Sequence, residues 1–235
     1  MIYFGGDSFM YGKGLEKEKS FPYLVADYLN QEFFDDSQVS SSNKLIYLRA
    51  MNHIVSHNNC DLYIIMWSRG VDRRFEHILD YDLTERWVNI IPCPHQKKDD
   101  KIRNDINKYV LENFVTEQSS FINNLVYMVS LQNMFKLYNK KYVYCYAHNE
   151  FMKLYNKTYK EYGYFLDVKD DEQDFTKSTD LKPLINSLDF KNIIEYSFSE
   201  VMGNWVGGRI DRHPDEKQCK EYAEYFLKEL NYEDK

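Results

Sequence analysis

At 235 residues and 43% hydrophobic, the chain can bury one sizeable core, which makes a single domain with insertions the default. A formal net charge of −7 argues against nucleic acid as a main partner, and no apolar run approaches the ~20 residues needed to span a bilayer. Cys60, Cys93, Cys145 and Cys219 are widely spaced with no paired ligand pattern, so reduced thiols in a cytosolic protein are expected. Cys93-Pro94-His95 is too sparse for a metal site and reads as a loop. Aromatics reach 17%, with 21 Tyr and 15 Phe. An AT-rich genome accounts for that excess more readily than the other reading, a sugar-stacking surface of exposed tyrosines. A strand-like segment starting at residue 2 leaves no room for a secretory signal, so a cytoplasmic location is expected, or a host cytoplasm or virion if the chain is viral.

Residues 2–4 are a short apolar run that stops at Gly5 and Gly6, with Asp7 and Ser8 following at once. That pattern reads as a buried strand breaking into a tight turn, with Ser8 at the carboxyl end, where open α/β sheets place their ligands. A serine there can be a nucleophile if a base reaches it and backbone N–H groups surround it. The plainer alternative is a turn or helix-capping serine. Ser20-Phe21-Pro22 opens a helix with Ser20 as candidate N-cap, and Phe21, Leu24, Val25, Tyr28 and Leu29 form its apolar stripe. Val39-Ser40-Ser41-Ser42-Asn43 is a polar turn before a helix over residues 45–51.

Residues 61–67 form a nearly continuous apolar run, the mark of a central parallel strand buried on both faces. Ser68-Arg69-Gly70 is the loop at its carboxyl end. Residues 77–118 are a charged insertion leaving near that loop, either a lid or a solvated decoration. Phe121, Leu125, Met128, Val129, Leu131 and Leu137 give a long amphipathic helix over 119–139, and 141–147 are rich in β formers. Strand–helix–strand order implies right-handed crossovers in a doubly wound sheet. His148, at the end of that strand, has no acid nearby and reads as an exposed loop histidine. Residues 150–182 form a second insertion, in which Asp170-Asp171-Glu172 reads as a solvated loop rather than a metal site. Residues 193–198 read as a short final strand or the approach to one. Gly203 to Gly208 then lead into Asp211-Arg212-His213-Pro214 and a closing helix over 215–230, with Cys219, Tyr222, Phe226 and Leu230 on one face. Asp211 lies two residues before His213, a spacing that allows an acid to fix the tautomer and orientation of an imidazole.

Gly6-Asp7-Ser8 near one end and Asp211-Arg212-His213-Pro214 near the other together resemble the first and last blocks of the SGNH (GDSL-type) hydrolases. The resemblance implies a three-layer α/β/α sandwich with a flavodoxin-like parallel sheet of about five strands. It covers one domain over 1–235, with the insertions around 77–118 and 150–182 unmatched. It implies a serine esterase or acyl hydrolase working on a small acyl ester, with an acetylated carbohydrate as candidate substrate and no metal or organic cofactor. Ser8 is the implied nucleophile, His213 the base and Asp211 its orienting acid. The family's second block offers a glycine N–H to the oxyanion; here Ser40 takes that place, or Ser41 if the register slips. Its third block reads Gly-x-Asn-Asp, whereas this chain has Trp67-Ser68-Arg69-Gly70, so Ser68 or Arg69 would replace the asparagine as donor. That ending, with Arg73, Arg74 and Glu76 soon after, is similar to a divergent, phage-like branch. No Gly-x-Ser-x-Gly elbow is present, which argues against an α/β-hydrolase. The missing glycine and asparagine also motivate an alternative from another class, a glycan-binding or structural module that keeps the fold without turnover. A peptidase or thioesterase would use the same residues.

Overall fold

The computed structural model describes residues 1–39, 41–57, 59–68, 75–78, 87–90, 117–148, 182–202 and 213–230. Strands β1 (Ile2–Gly5), β2 (Phe33–Asp35), β3 (Leu62–Trp67) and β6 (Lys141–Tyr146) form a 4-stranded sheet in the order β2-β1-β3-β6, every neighbouring pair parallel. Two further strands, β4 (Phe75–Ile78) and β5 (Trp87–Ile90), pair antiparallel with Phe75 opposite Ile90. The remaining described elements of the long insertions expected around 77–118 and 150–182 are only their flanks.

The sheet is buried on both faces because its strands alternate two sets of large apolar side chains. Tyr3, Tyr63, Ile65, Trp67, Tyr142, Tyr144 and Tyr146 point to one face, beneath α2 (Asn43–Ser56) and α3 (Glu117–Leu137). Ile2, Phe4, Ile64, Met66, Val143 and Cys145 point to the other, beneath α1 (Phe21–Tyr28) and α6 (Glu216–Leu230). The result is the expected α/β layering. On α6, Cys219, Tyr222, Ala223, Phe226 and Leu227 are buried, and burying Phe226 or Leu227 contributes roughly 1.5–3 kcal/mol each. Among the described residues no helix is long and apolar enough to cross a membrane.

The structure differs from the sequence expectation in several places. β2 was not expected: its three residues lie at the sheet edge, with Phe34 exposed. The final strand expected over 193–198 is reduced to one parallel bridge, Tyr144 with Ile193, where Ile194 N–H donates to Tyr144 O at 2.8 Å. It is closed on both sides, by a 3-10 turn at Phe190–Asn192 and by Ser197, which caps the short helix α5 (Phe198–Val201) in a reciprocal box with Glu200. The preceding short helix, α4 (Lys182–Asn186), packs on α3. Counting that bridge, the order follows the flavodoxin-like 2-1-3-4-5 pattern. Ser20 stands at the N-cap position of α1, but its hydroxyl donates to Lys17 O at 2.6 Å instead of capping. Tyr28 and Leu137, placed on apolar stripes by periodicity, are exposed at the ends of their helices.

At the far end of α2, His53 is buried among Tyr3, Phe34, His57 and Tyr63, with Nδ1 3.1 Å from the Tyr63 hydroxyl. Burial first, and then the charge of His57, push its pKa below the ordinary histidine value. An unfolded histidine titrates near ~6.5, so below that pH the unfolded chain binds the extra proton and the folded state loses stability as pH falls. Urea midpoints measured from pH 7 to pH 5 should therefore decline in the wild type, and decline less steeply in His53→Phe. Parallel slopes for the two proteins would show that His53 carries none of the effect.

Candidate active site at the carboxyl edge of the sheet

β1 ends where Gly5 and Gly6 remove side chains from the path of the turn. A Cβ on Gly6 would lie 2.5 Å from Met10 Cβ and 3.3 Å from Met66 Cβ, so the chain can fold back here only without one. The turn closes through Tyr11 N–H to Asp7 O at 2.9 Å and Lys13 N–H to Ser8 O at 3.1 Å. It leaves through Gly12 at φ 65, a left-handed conformation that favours glycine. Ser8 is 9% exposed, and among the described residues no hydrogen bond engages its hydroxyl.

Asp7 points inward. Its Oδ1 accepts from Phe9 N–H at 3.0 Å, and its Oδ2 accepts the Ser68 hydroxyl hydrogen. Ser68 N–H donates to Asn43 Oδ1 at 2.8 Å, and Asn43 Nδ2 donates to Asn124 Oδ1 at 2.9 Å. Both donors of Ser68 are thus engaged inside the protein. The expectation that Ser68 donates to an oxyanion is revised accordingly: a proton held by a buried carboxylate is not offered to a ligand. Asn43 and Asn124 carried no local signal in the sequence, since the bond between them joins α2 to α3 across 81 positions.

The serine turn expected to supply the second donor runs beside the Ser8 turn, with Gln38 N–H on Gly6 O at 3.1 Å. Ser42 caps α2 by accepting from Leu45 N–H at 3.1 Å, and Ser41 N–H is taken by Gln38 O at 3.3 Å. The backbone N–H of Ser41 is therefore not offered outward. Ser40, Arg69 and Asp211 lie outside the described residues.

His213 is half-buried, with Nδ1 shielded from solvent, and its ring centre is 6.0 Å from that of Phe9, the residue after Ser8. The two ends of the sequence therefore meet at one edge. No hydrogen bond joins His213 to the Ser8 hydroxyl; contacts of that kind are often long in the free form of an enzyme and tighten with substrate. α6 starts three residues later, its first turn closed by Asp215 N–H on Gln218 Oε1 at 3.0 Å and Gln218 N–H on Asp215 Oδ1 at 2.9 Å. Lys19 Nζ reaches Glu216 at 3.0 Å, linking the segment after the Ser8 turn to the same helix.

His148 departs from the expectation of an exposed loop residue. It is half-buried, its ring edge-on to Phe9 with centres 4.9 Å apart. Phe9 thus lies against His148, His213 and Phe198 together. The signal for His148 was its position at the carboxyl end of β6, outweighed by the absence of a neighbouring acid. Among the described residues no group of three His, Cys, Asp or Glu side chains could hold a metal ion.

Several solved structures share this architecture. Crystalline TesA is similar over 97% of this chain and 97% of its own, with TM-score 0.54 and 11% identity. The psychrotrophic esterase EstA from Pseudoalteromonas sp. is similar over 98% of each chain, with TM-score 0.51 and 12% identity. A protein assigned to the lipolytic G-D-S-L family from Desulfitobacterium hafniense DCB-2 is similar over 97% and 98%, with TM-score 0.50 and 14% identity. The fold is that of the SGNH hydrolases. No protein-family model and no curated protein matches the sequence, and these neighbours lend no support to the phage-like branch. In this SGNH fold Ser8, Ser68 and His148 follow the carboxyl ends of β1, β3 and β6.

The close approach at Gly6 gives a direct test of the turn. Gly6→Ala should lower stability by about 1–3 kcal/mol, because the added methyl must push Met10 out of its packing. The measurement is the urea midpoint, and a midpoint equal to wild type would show that the turn is looser than the geometry requires.

Proposed function

We propose that the chain is a serine hydrolase of carboxylic esters, with Ser8 as nucleophile, His213 as general base and acid, and Asp211 as the group orienting His213. The observation that carries this reading is the meeting of His213 with the Ser8 turn on the ring of Phe9. Ser8 Oγ attacks an acyl carbonyl while His213 removes its proton, and the same proton then goes to the leaving alkoxide. A water molecule, deprotonated by His213, cleaves the acyl-enzyme and restores Ser8. The oxyanion is held by the backbone N–H groups of Ser8 and Ser40, with the Arg69 guanidinium as third donor. No metal or organic cofactor enters these steps.

The whole chain acts as one domain, the segments around 77–118 and 150–182 being additions to it. The substrate is a small acyl ester, and an acetylated carbohydrate suits the site best. Tyr11, three residues beyond Ser8, is 49% exposed and offers a ring face against which a sugar can stack. The engagement of both Ser68 donors favours a second reading, the glycan-binding module without turnover.

Two measurements separate these readings. The wild type should hydrolyse acetyl esters and react with a serine-directed phosphonate, whereas Ser8→Ala should lose both by several orders of magnitude while keeping its circular dichroism. Acetyl-ester turnover that survives Ser8→Ala would refute the mechanism. An inert Ser8 alongside glycan binding would select the module.

A further inference from the structure

We infer that Asp7 and Ser68 are positioning residues for the Ser8 site, the carboxylate of the nucleophile turn anchoring the loop where the family's third-block asparagine is expected. The inference rests on the hydrolase reading above and adds to it a role for two residues in neither the triad nor the oxyanion hole. Its basis is one directed chain of hydrogen bonds: Ser68 hydroxyl to Asp7, Ser68 N–H to Asn43, Asn43 amide to Asn124. Asp7, Ser68, Asn43 and Asn124 are 3%, 2%, 1% and 3% exposed, so water does not compete for these bonds. The chain joins the turn after β1, the loop after β3, the first residue of α2 and the middle of α3. The first of those segments carries Ser8, the proposed nucleophile.

The direction of each bond follows from its neighbours. Asn43 accepts from a backbone N–H, which fixes its oxygen towards Ser68 and its amide hydrogens towards Asn124. Asp7 uses one oxygen on Phe9 N–H and the other on Ser68, so its carboxylate orients both the residue after the nucleophile and the third-block loop. Without the Ser68 hydroxyl, Asp7 Oδ2 loses the donor that ties the turn after β1 to the loop after β3. The strands beneath are held by their own ladders, so the fold survives and the loops shift. A shift of about 1 Å in catalytic geometry costs about 100-fold in rate.

The test compares wild type, Ser68→Ala, Ser68→Thr and Asp7→Asn in the full chain, using p-nitrophenyl acetate for kcat and KM and a fluorophosphonate for labelling rate. Ser68→Ala is expected to lower kcat and labelling about 10–100-fold with KM unchanged, and Ser68→Thr, which keeps the hydroxyl, to recover most of the loss. If Ser68→Ala does not fold, Asp7→Asn carries the comparison with the same expected fall in kcat. A folded Ser68→Ala or Asp7→Asn with wild-type kcat and a lowered urea midpoint overturns the inference and leaves the hydrolase intact, as does a loss confined to KM. A wild type that neither hydrolyses the ester nor takes the label overturns the hydrolase reading and this inference with it.

Discussion

Parallel pairing of three strands buried on both faces is the constraint from which the rest of this structure follows. β1, β3 and β6 run the same way, so their carboxyl ends reach a common edge. A buried strand has its backbone groups fully used by the ladder, and only at its end can the chain break pattern and present polar groups. Ser8, Ser68 and His148 each stand within a few residues of such an end. The edge also determines what must cover it: α6 has to pack under the sheet for the loop bearing His213 to arrive there. The aromatic cluster of Phe21, Phe198, Tyr222 and Phe226 fastens that helix to α1.

The same constraint explains which parts of the fold were legible in the sequence. Residues 2–4, 61–67 and 141–147 announced themselves because doubly buried strands must be apolar without interruption. β2 gave no such signal, because an edge strand of three residues with an outward phenylalanine is too short to show a period. The bridge at Ile193 misled in the opposite sense: the composition suits a strand, but the flanking turn and the Ser197 cap leave room for a single pairing. Helical periodicity identified the inward faces of α1 and α3 but could not say where the neighbouring element stops, which is why Tyr28 and Leu137 are exposed.

For the site, the legible part was what local spacing encodes. Gly6-Asp7-Ser8 marks a turn that no side chain at residue 6 would permit, and His213 sits at a fixed distance before a helix start. The polar chain through Asn43 and Asn124 was invisible, because its members belong to separate elements and each alone looks like an ordinary helix residue. The tyrosine excess was also ambiguous until the core was seen. Tyr3, Tyr63, Tyr142, Tyr144, Tyr146 and Tyr222 are core residues, and several place their hydroxyls on internal partners, as Tyr3 does on Asp36 at 2.9 Å and Tyr144 on Met128 O at 2.8 Å. Burial pushes the Tyr142 phenol up to about 12, so it stays neutral at physiological pH. The bulk of a tyrosine thus fills the sheet face much as phenylalanine would, provided its oxygen finds a partner.

The short side chain at residue 68 sets a chemical trade-off for the edge. An asparagine at the end of β3 would be long enough to point amide hydrogens into a pocket while its backbone anchors the loop. Serine has one hydroxyl proton, and here that proton goes to Asp7. Anchoring and donation therefore fall to different residues: the loop is fixed from below by a buried carboxylate, and in the proposed hydrolase the oxyanion would take its donors from residues other than Ser68. A site arranged this way gains rigidity at the nucleophile turn and loses one uncharged donor.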